Sequence, residues 1–146
     1  MITYEEFTQI RSKHIPSLFV EGERFTSYKN ISIALVLQEI TFHGDWMQFG
    51  VHKGHTARIL ESFILSDKKL HLFDSFEGLR ENWSGTTAQA STFDLKGKIP
   101  KLNSNVKIIK GWIQDTFTNF LKEKNQKIAF AHIDVDTYQT TKFILK

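Results

Sequence analysis

Apolar and polar positions fall into short blocks whose period switches along the chain. Asp45–Phe49 (DWMQF) is brief, apolar and aromatic, and glycines stand on either side of it at 44 and 50, which predicts a strand. Beyond Gly54, the residues Ala57, Leu60, Ile64 and Leu65 recur at spacings of three, four and one, so a helix is expected over Thr56–Leu65. Leu70–Phe73 reads as a second strand closed by Asp74. Val106–Ile109 is a third, terminated by Gly111; Phe117, Phe120 and Leu121 then mark a helix that Asp115 or Thr116 is expected to cap. Ile128–Ile133 (IAFAHI) is a fourth strand, nearly continuous in apolar residues, as expected where both faces are covered. A last helix begins near Thr137.

Upstream, Thr3–Lys13 is expected to be helical, with Thr3 as N-cap, Glu6 three residues later and Phe7 and Ile10 as its stripe. Pro16 closes it, Ser17–Thr26 reads as a connection, and Ser27–Phe42 reads as a second helix that brings Ile31, Leu35 and Ile40 to a sheet edge. Residues 1–43 are therefore expected to form a helical lid or packing segment, and 44–146 the main domain. Strands alternating with helices argue an α/β fold: a doubly wound, Rossmann-like parallel sheet, with its first four strands in the order 3-2-1-4. Arg80–Asn105 interrupts the alternation with a polar stretch rich in Ser, Thr, Asn, Gly and Lys. So long a connection at a strand's carboxyl end is more often functional than not. Its Trp83 and Phe93 fold either onto the core or onto a ligand, and the pattern leaves both open.

In such a sheet the ligand crevice lies beyond the carboxyl ends of the strands. Gly50, Asp74, Asp115, Asp134 and Asp136 all fall on that edge. Glycine lets the backbone approach a ligand, and a strand-end aspartate accepts hydrogen bonds from ribose hydroxyls. The spacing is not GxGxxG, because Gln48 precedes Gly50 and the next glycine comes one position late. A helix-capping turn and a surface carboxylate is the alternative reading.

Composition narrows the field. The 146 residues make one domain with enough chain for a core, and the net charge of +3 is spread over scattered lysines without a basic–aromatic track for nucleic acid. There is no cysteine, which excludes disulfides, thiolate metal sites and cysteine nucleophiles and fits a reducing cytoplasm. MITYEEFTQI is unlike a secretory signal, and the longest apolar run, Ile31–Leu37, is broken by Ser32 and too short for a bilayer. A cytoplasmic location without membrane or nucleic-acid partners is expected. His132 in an apolar strand reads as a hydrogen-bonded core histidine, and His52 and His55 flank the glycine turn without an evident third metal ligand.

Four stretches taken together, FGVHKGHTA, HLFDSFEGLRENW, IIKGWIQDTF and IAFAHIDVDTY, resemble class I S-adenosylmethionine-dependent methyltransferases. The branch they most resemble holds the macrocin (TylF-like) sugar O-methyltransferases, and the resemblance runs from about Phe25 to the last residue. It implies Gly50 and Gly54 at the methionine end of S-adenosylmethionine, Asp74 at the ribose, Ser75 and Phe76 beside the adenosine, and Gln114 and Asp115 near the adenine. Asp134 matches the first metal-binding carboxylate, with Mg2+ as the implied cation. Gln48, also expected at the cofactor, stands where the family has Glu, and Arg80 stands where proline is common. In the family a further strand ending in an acidic pair follows, then two more, so the chain is expected to be incomplete as given.

The function implied is O-methylation of a hydroxyl on a sugar or similar small polar molecule, with homo-oligomerisation left open. The transfer is an in-line displacement, and a hard cation lowers the pKa of the attacking hydroxyl. Asp134 and Asp136 are the expected catalytic pair: two apart, they share a face if the segment is extended. Asp134 is favoured as the metal ligand, while Asp136 either orients the acceptor or caps the last helix. Two other readings stand beside this one: a non-catalytic remnant or cofactor-binding fragment, and a nicotinamide-dependent oxidoreductase, whose glycine fingerprint is absent.

Overall fold

A computed structural model describes residues 33, 36–37, 39–64, 67–102, 105–123 and 127–146. The expected helix at Thr3–Lys13 and the connection after it lie outside these residues. Of the second helix, Ile33, Val36 and Leu37 are helical and Glu39 is in a turn, so the helix does not run to Phe42. The chain divides into two compact units, Met1–Ile40 and Thr41–Lys146, and the elements named below belong to the second.

They are β1 (Asp45–Phe49), α1 (His55–Phe63), β2 (Leu70–Asp74), β3 (Val106–Lys110), α2 (Ile113–Glu123), β4 (Ile128–Ile133) and α3 (Tyr138–Ile144). The strands form one parallel sheet in the order β3-β2-β1-β4, the expected order. Phe49 pairs with Phe73 and with Ile133, and Phe73 with Ile109, so all four strands end together on one edge.

Side-chain alternation divides the central strands between two faces. Met47, Phe49, His71 and Phe73 share one face, where α2 adds Ile113, Phe117 and Phe120, and α3 adds Phe143 and Ile144. Phe49 stacks on Phe73 with centroids 4.9 Å apart; Phe117 meets Phe49 edge-on at 4.9 Å, and Phe120 meets Phe73 edge-on at 5.2 Å. Offset and edge-to-face rings of this kind add roughly 0.5–1.5 kcal/mol per pair beyond simple burial. This aromatic block anchors the carboxyl ends of β1 and β2. At the opposite end, His71 is fully buried and its Nε2 lies 2.8 Å from Asp45 Oδ2.

The structure corrects several boundaries. β4 pairs only with β1 among the described residues, and none of its six residues is fully buried, whereas the apolar run predicted cover on both faces. Hydrophobicity reports the tendency to be covered, not the pairing that covers it. α2 starts at Ile113, ahead of the expected caps: Asp115 and Thr116 lie inside its first turn, and the Thr116 hydroxyl donates to the Trp112 carbonyl at 3.0 Å. Ile113 is pulled into the core, which fixes the helix start earlier than the polar cue implied. α1 ends at Phe63, since Ile64 is extended; Leu65 lies outside the described residues.

Among its described residues, the polar stretch after β2 has no helix and one isolated bridge, Glu77 to Asp94, yet it is closely tied by backbone hydrogen bonds. Leu79 and Ser91 are cross-linked through Leu79 N to Thr92 O (2.9 Å) and Ser91 N to Leu79 O (2.8 Å). Leu95 N and Gly97 N both donate to Phe76 O, at 3.2 and 2.9 Å. The segment is therefore a strap that leaves β2 and folds back on its own start.

Candidate functional site

The site is built on the turn between β1 and α1. Gly50, His52 and Gly54 all have left-handed backbones, with φ of 82°, 51° and 80°. A β-carbon on Gly50 has no room against the Asp134 carbonyl, whose carbon would be 2.9 Å away; at Gly54 it would meet Pro100 of the strap at 3.1 Å. Gly50 is thus required by packing as well as by φ, whereas at Gly54 the left-handed φ makes the demand and the Pro100 contact only tightens it. The residue after β4 thus presses its main chain against the turn, and the strap lies close to its other end.

Asp74 holds this turn to the end of β2. Its Oδ2 accepts from the amides of Val51 (2.6 Å) and His52 (2.8 Å), and its Oδ1 from the amide of Phe76 (2.7 Å). A carboxylate offers about four lone-pair directions, so three are used and one remains for a ligand. Gln48 is buried at the same place. Its Nε2 donates to Gly50 O at 2.7 Å, while its Oε1 is buried without a hydrogen-bond partner among the described residues. An unmet buried acceptor is costly, so this atom suits a ligand's N–H.

Ser75 and Phe76 are buried; Ser75 Oγ accepts from Glu77 N at 3.1 Å, and Phe76 takes φ 59°. Past β3, Gln114 Nε2 donates to Thr140 Oγ1 of α3 at 3.0 Å, and Asp115 is exposed, 3.9 Å from the Arg80 guanidinium. That guanidinium also lies 5.4 Å from the Trp112 ring centroid. The structure thus brings Gln48, Gly50, Gly54, Asp74, Ser75 and Phe76 together around one turn. Gln114 and Asp115 belong to a second cluster at the end of β3.

After β4, Asp134 is exposed and its amide donates to Phe49 O at 2.9 Å. Asp136 has φ 61°, and Thr137 N donates across it to Val135 O at 2.6 Å, a tight three-residue turn. The segment is therefore not extended, and the period-two argument for a shared face of Asp134 and Asp136 does not hold. The N-cap position of α3 is Thr137, not Asp136, with no side-chain cap bond. No group of three His, Cys, Asp or Glu suited to a metal comes together among the described residues, so a cation at Asp134 has an incomplete donor set here.

Two residues that were not predicted as site residues lie on this edge. The His52 ring meets the Phe93 ring edge-on at 5.6 Å, and Phe93, at φ 71°, remains 45% exposed. Burial, reinforced by Lys53 and His55, holds the His52 imidazole below its usual pKa against the opposing pull of Asp74 and Asp136. Neither contact is readable from spacing, because turn and strap are far apart in sequence and both residues adopt a backbone that their types seldom take.

This sheet order, with a glycine turn latched to an acidic strand end, is the Rossmann-like arrangement of methyltransferase domains. A family model described as a methyltransferase domain matches residues 47–146, and the chain belongs to that family. Among solved structures it resembles the one titled "Structure of the O-methyltransferase NovP", with a TM-score of 0.63 and 18% identity over 80% of this chain. At that identity the likeness speaks for the fold. The chain spans 57% of that structure's length. No curated protein matches it in sequence. Among the described residues, no helix is long and apolar enough to cross a membrane.

Proposed function

We propose that residues 44–146 are the donor-binding part of a cytoplasmic S-adenosylmethionine-dependent O-methyltransferase. Its acceptor is a hydroxyl of a sugar or similar small polar molecule, and residues 1–43 serve as a lid or packing segment. The observation that carries this reading is the latched turn: a carboxylate with one free acceptor direction beside a buried, unmet amide oxygen. The donor is an amino acid joined to a nucleoside, and the two acceptors suit its ammonium and ribose hydroxyls.

In this reading Gln48 Oε1 accepts from the ammonium, and the Gly50–Gly54 turn runs along the methionine chain. Asp74 takes a ribose hydroxyl on its remaining lone pair; Ser75 and Phe76 flank the adenosine, and Gln114 and Asp115 border the adenine. Asp134 and Asp136 face the acceptor side. The bound donor supplies an electrophilic methyl, and the protein's part is alignment of that methyl with the acceptor oxygen. No step is assigned to Mg2+, since the donor set at Asp134 is incomplete among the described residues.

Calorimetric titration of the 146-residue chain tests the reading. S-adenosylhomocysteine should bind and NAD should not. Tight NAD binding with no response to the methyl donor or its product would rule it out. Donor binding without transfer to any hydroxyl acceptor would favour the cofactor-binding-fragment reading.

A further inference from the structure

We propose that the returning limb of the strap positions Asp74 for the donor through the backbone of Phe76, a role that rests on Asp74 being a donor contact. Phe76 serves both segments with its main chain. Its amide donates to Asp74 Oδ1 at 2.7 Å, and its carbonyl accepts from Leu95 N at 3.2 Å and Gly97 N at 2.9 Å. Asp74 in turn holds the amides of Val51 and His52, in the glycine turn, on its Oδ2. The limb then comes back to that same turn, where Pro100 lies against Gly54 and the Phe93 ring meets His52 edge-on at 5.6 Å. Turn, carboxylate, Phe76 and limb therefore form a closed ring of contacts.

This ring holds backbone that ordinary chain does not adopt. Phe76 has φ 59°, a left-handed conformation rare for so bulky a residue, and its side chain is buried. Ser91, Phe93 and Lys96 of the strap are left-handed as well, with φ of 66°, 71° and 52°. Such residues persist only where their surroundings over-determine them. Here the surroundings are the two amides on Phe76 O, Lys110 Nζ on Gly97 O at 3.1 Å, and the bridge between Glu77 and Asp94. Release of the limb frees the Phe76 carbonyl, so the residue relaxes towards an ordinary φ and its amide turns away from Asp74 Oδ1. The carboxylate then keeps only its partners in the turn, and the lone pair left for a ribose hydroxyl is no longer fixed in direction. A donor on that lone pair binds the closed limb better than the open one, and by linkage it holds the limb closed. Leu95 and Gly97 do this without touching the donor.

Amide hydrogen exchange of the 146-residue chain, read by NMR with and without S-adenosylhomocysteine, is the test. With ligand at about 100 times its Kd, amides that open only after the ligand has left slow by about 100-fold. Leu95 and Gly97 should slow by about the same factor as Val51 and His52. Thr86 and Ala88, bonded within the far end of the strap, should keep their ligand-free rates. Gly97→Ala strains the limb through its left-handed φ of 69°, while the new β-carbon meets only the Lys110 side chain. In the ligand-free chain it should speed exchange at Leu95, Val51 and His52 together, by about tenfold. Gly85→Ala places the same backbone strain, at φ 80°, in the far end of the strap and should leave those three rates unchanged. Should Gly97→Ala fail to fold, the ligand-induced slowing in the unmodified chain decides. Slowing of Val51 and His52 without Leu95 and Gly97, equal slowing of Thr86 and Ala88, or a folded Gly97→Ala that speeds Leu95 alone would overturn the inference and leave the donor site standing. Failure of S-adenosylhomocysteine to bind would overturn the donor site as well.

Discussion

Gly50 and Asp134 are in backbone contact: the Cα of the first lies against the carbonyl of the second, with no space for a β-carbon between them. The contact joins the start of the glycine turn to the end of β4, so the two share one steric constraint.

Gly50→Ala should therefore be far more damaging than an alanine placed at another left-handed glycine. At Gly85, φ is 80° and nothing lies within 4 Å of a new β-carbon, so only the backbone term applies, about 1–2 kcal/mol. At Gly50, overpacking against a main-chain carbonyl is added, for a total of about 3–5 kcal/mol. Urea unfolding of the two variants measures the difference, and equal losses would refute the steric argument.

Asp74 should act on the turn before it acts on any ligand. Asp74→Ala removes the acceptor of three backbone amides, and the cost should be about 2–4 kcal/mol given partial rescue by water. Hydrogen exchange at the Val51 and His52 amides should accelerate in this variant. Unchanged protection at both positions would show that the turn holds itself.

His52 also predicts a pH effect on the stability of the ligand-free chain. Its pKa is lowered on folding, so between its folded value and 6.5 the unfolded chain binds more protons than the folded one. Its contribution is constant above pH 6.5, declines as pH falls through that window, and levels off once both states are protonated. Because the side chain is only partly buried, the effect is small. It is best read as the change in slope between the unmodified chain and His52→Asn in denaturant melts at pH 7 to 5; an unchanged slope would contradict it.

Asp45→Ala offers the opposite test, a loss of stability without a loss of binding. The Asp45 carboxylate partners the fully buried His71 and also accepts from Lys69 N at 3.1 Å. Removing it should cost about 1.5–3 kcal/mol. β1 runs about 3.3 Å per residue, so this pair lies more than about 10 Å from the Gly50–Gly54 turn. Affinity for S-adenosylhomocysteine, measured well below the melting temperature, should stay within about twofold, since separate sites act independently.

The chain's own residues determined much of this fold because the relevant signals are local. Period-two and period-three-or-four patterns need only neighbours, so β1, β2, β3 and β4, the helices between them and their order follow from DWMQF, LHLF, VKII, IAFAHI and the stripes beside them. Gly50, Gly54, Asp74 and Asp134 were legible as edge residues because a parallel α/β sheet puts its strand ends there. What tertiary structure alone decided depends on contacts between distant segments. The buried Ile113 moved the start of α2, and Asp136 was bent out of an extended path by a turn closed between Val135 and Thr137. The meeting of His52 with Phe93, and of Gly54 with Pro100, depends on how the strap folds back over the turn. A sequence pattern specifies which face a residue prefers, whereas the geometry of a site is set by backbone angles that only the packed chain imposes.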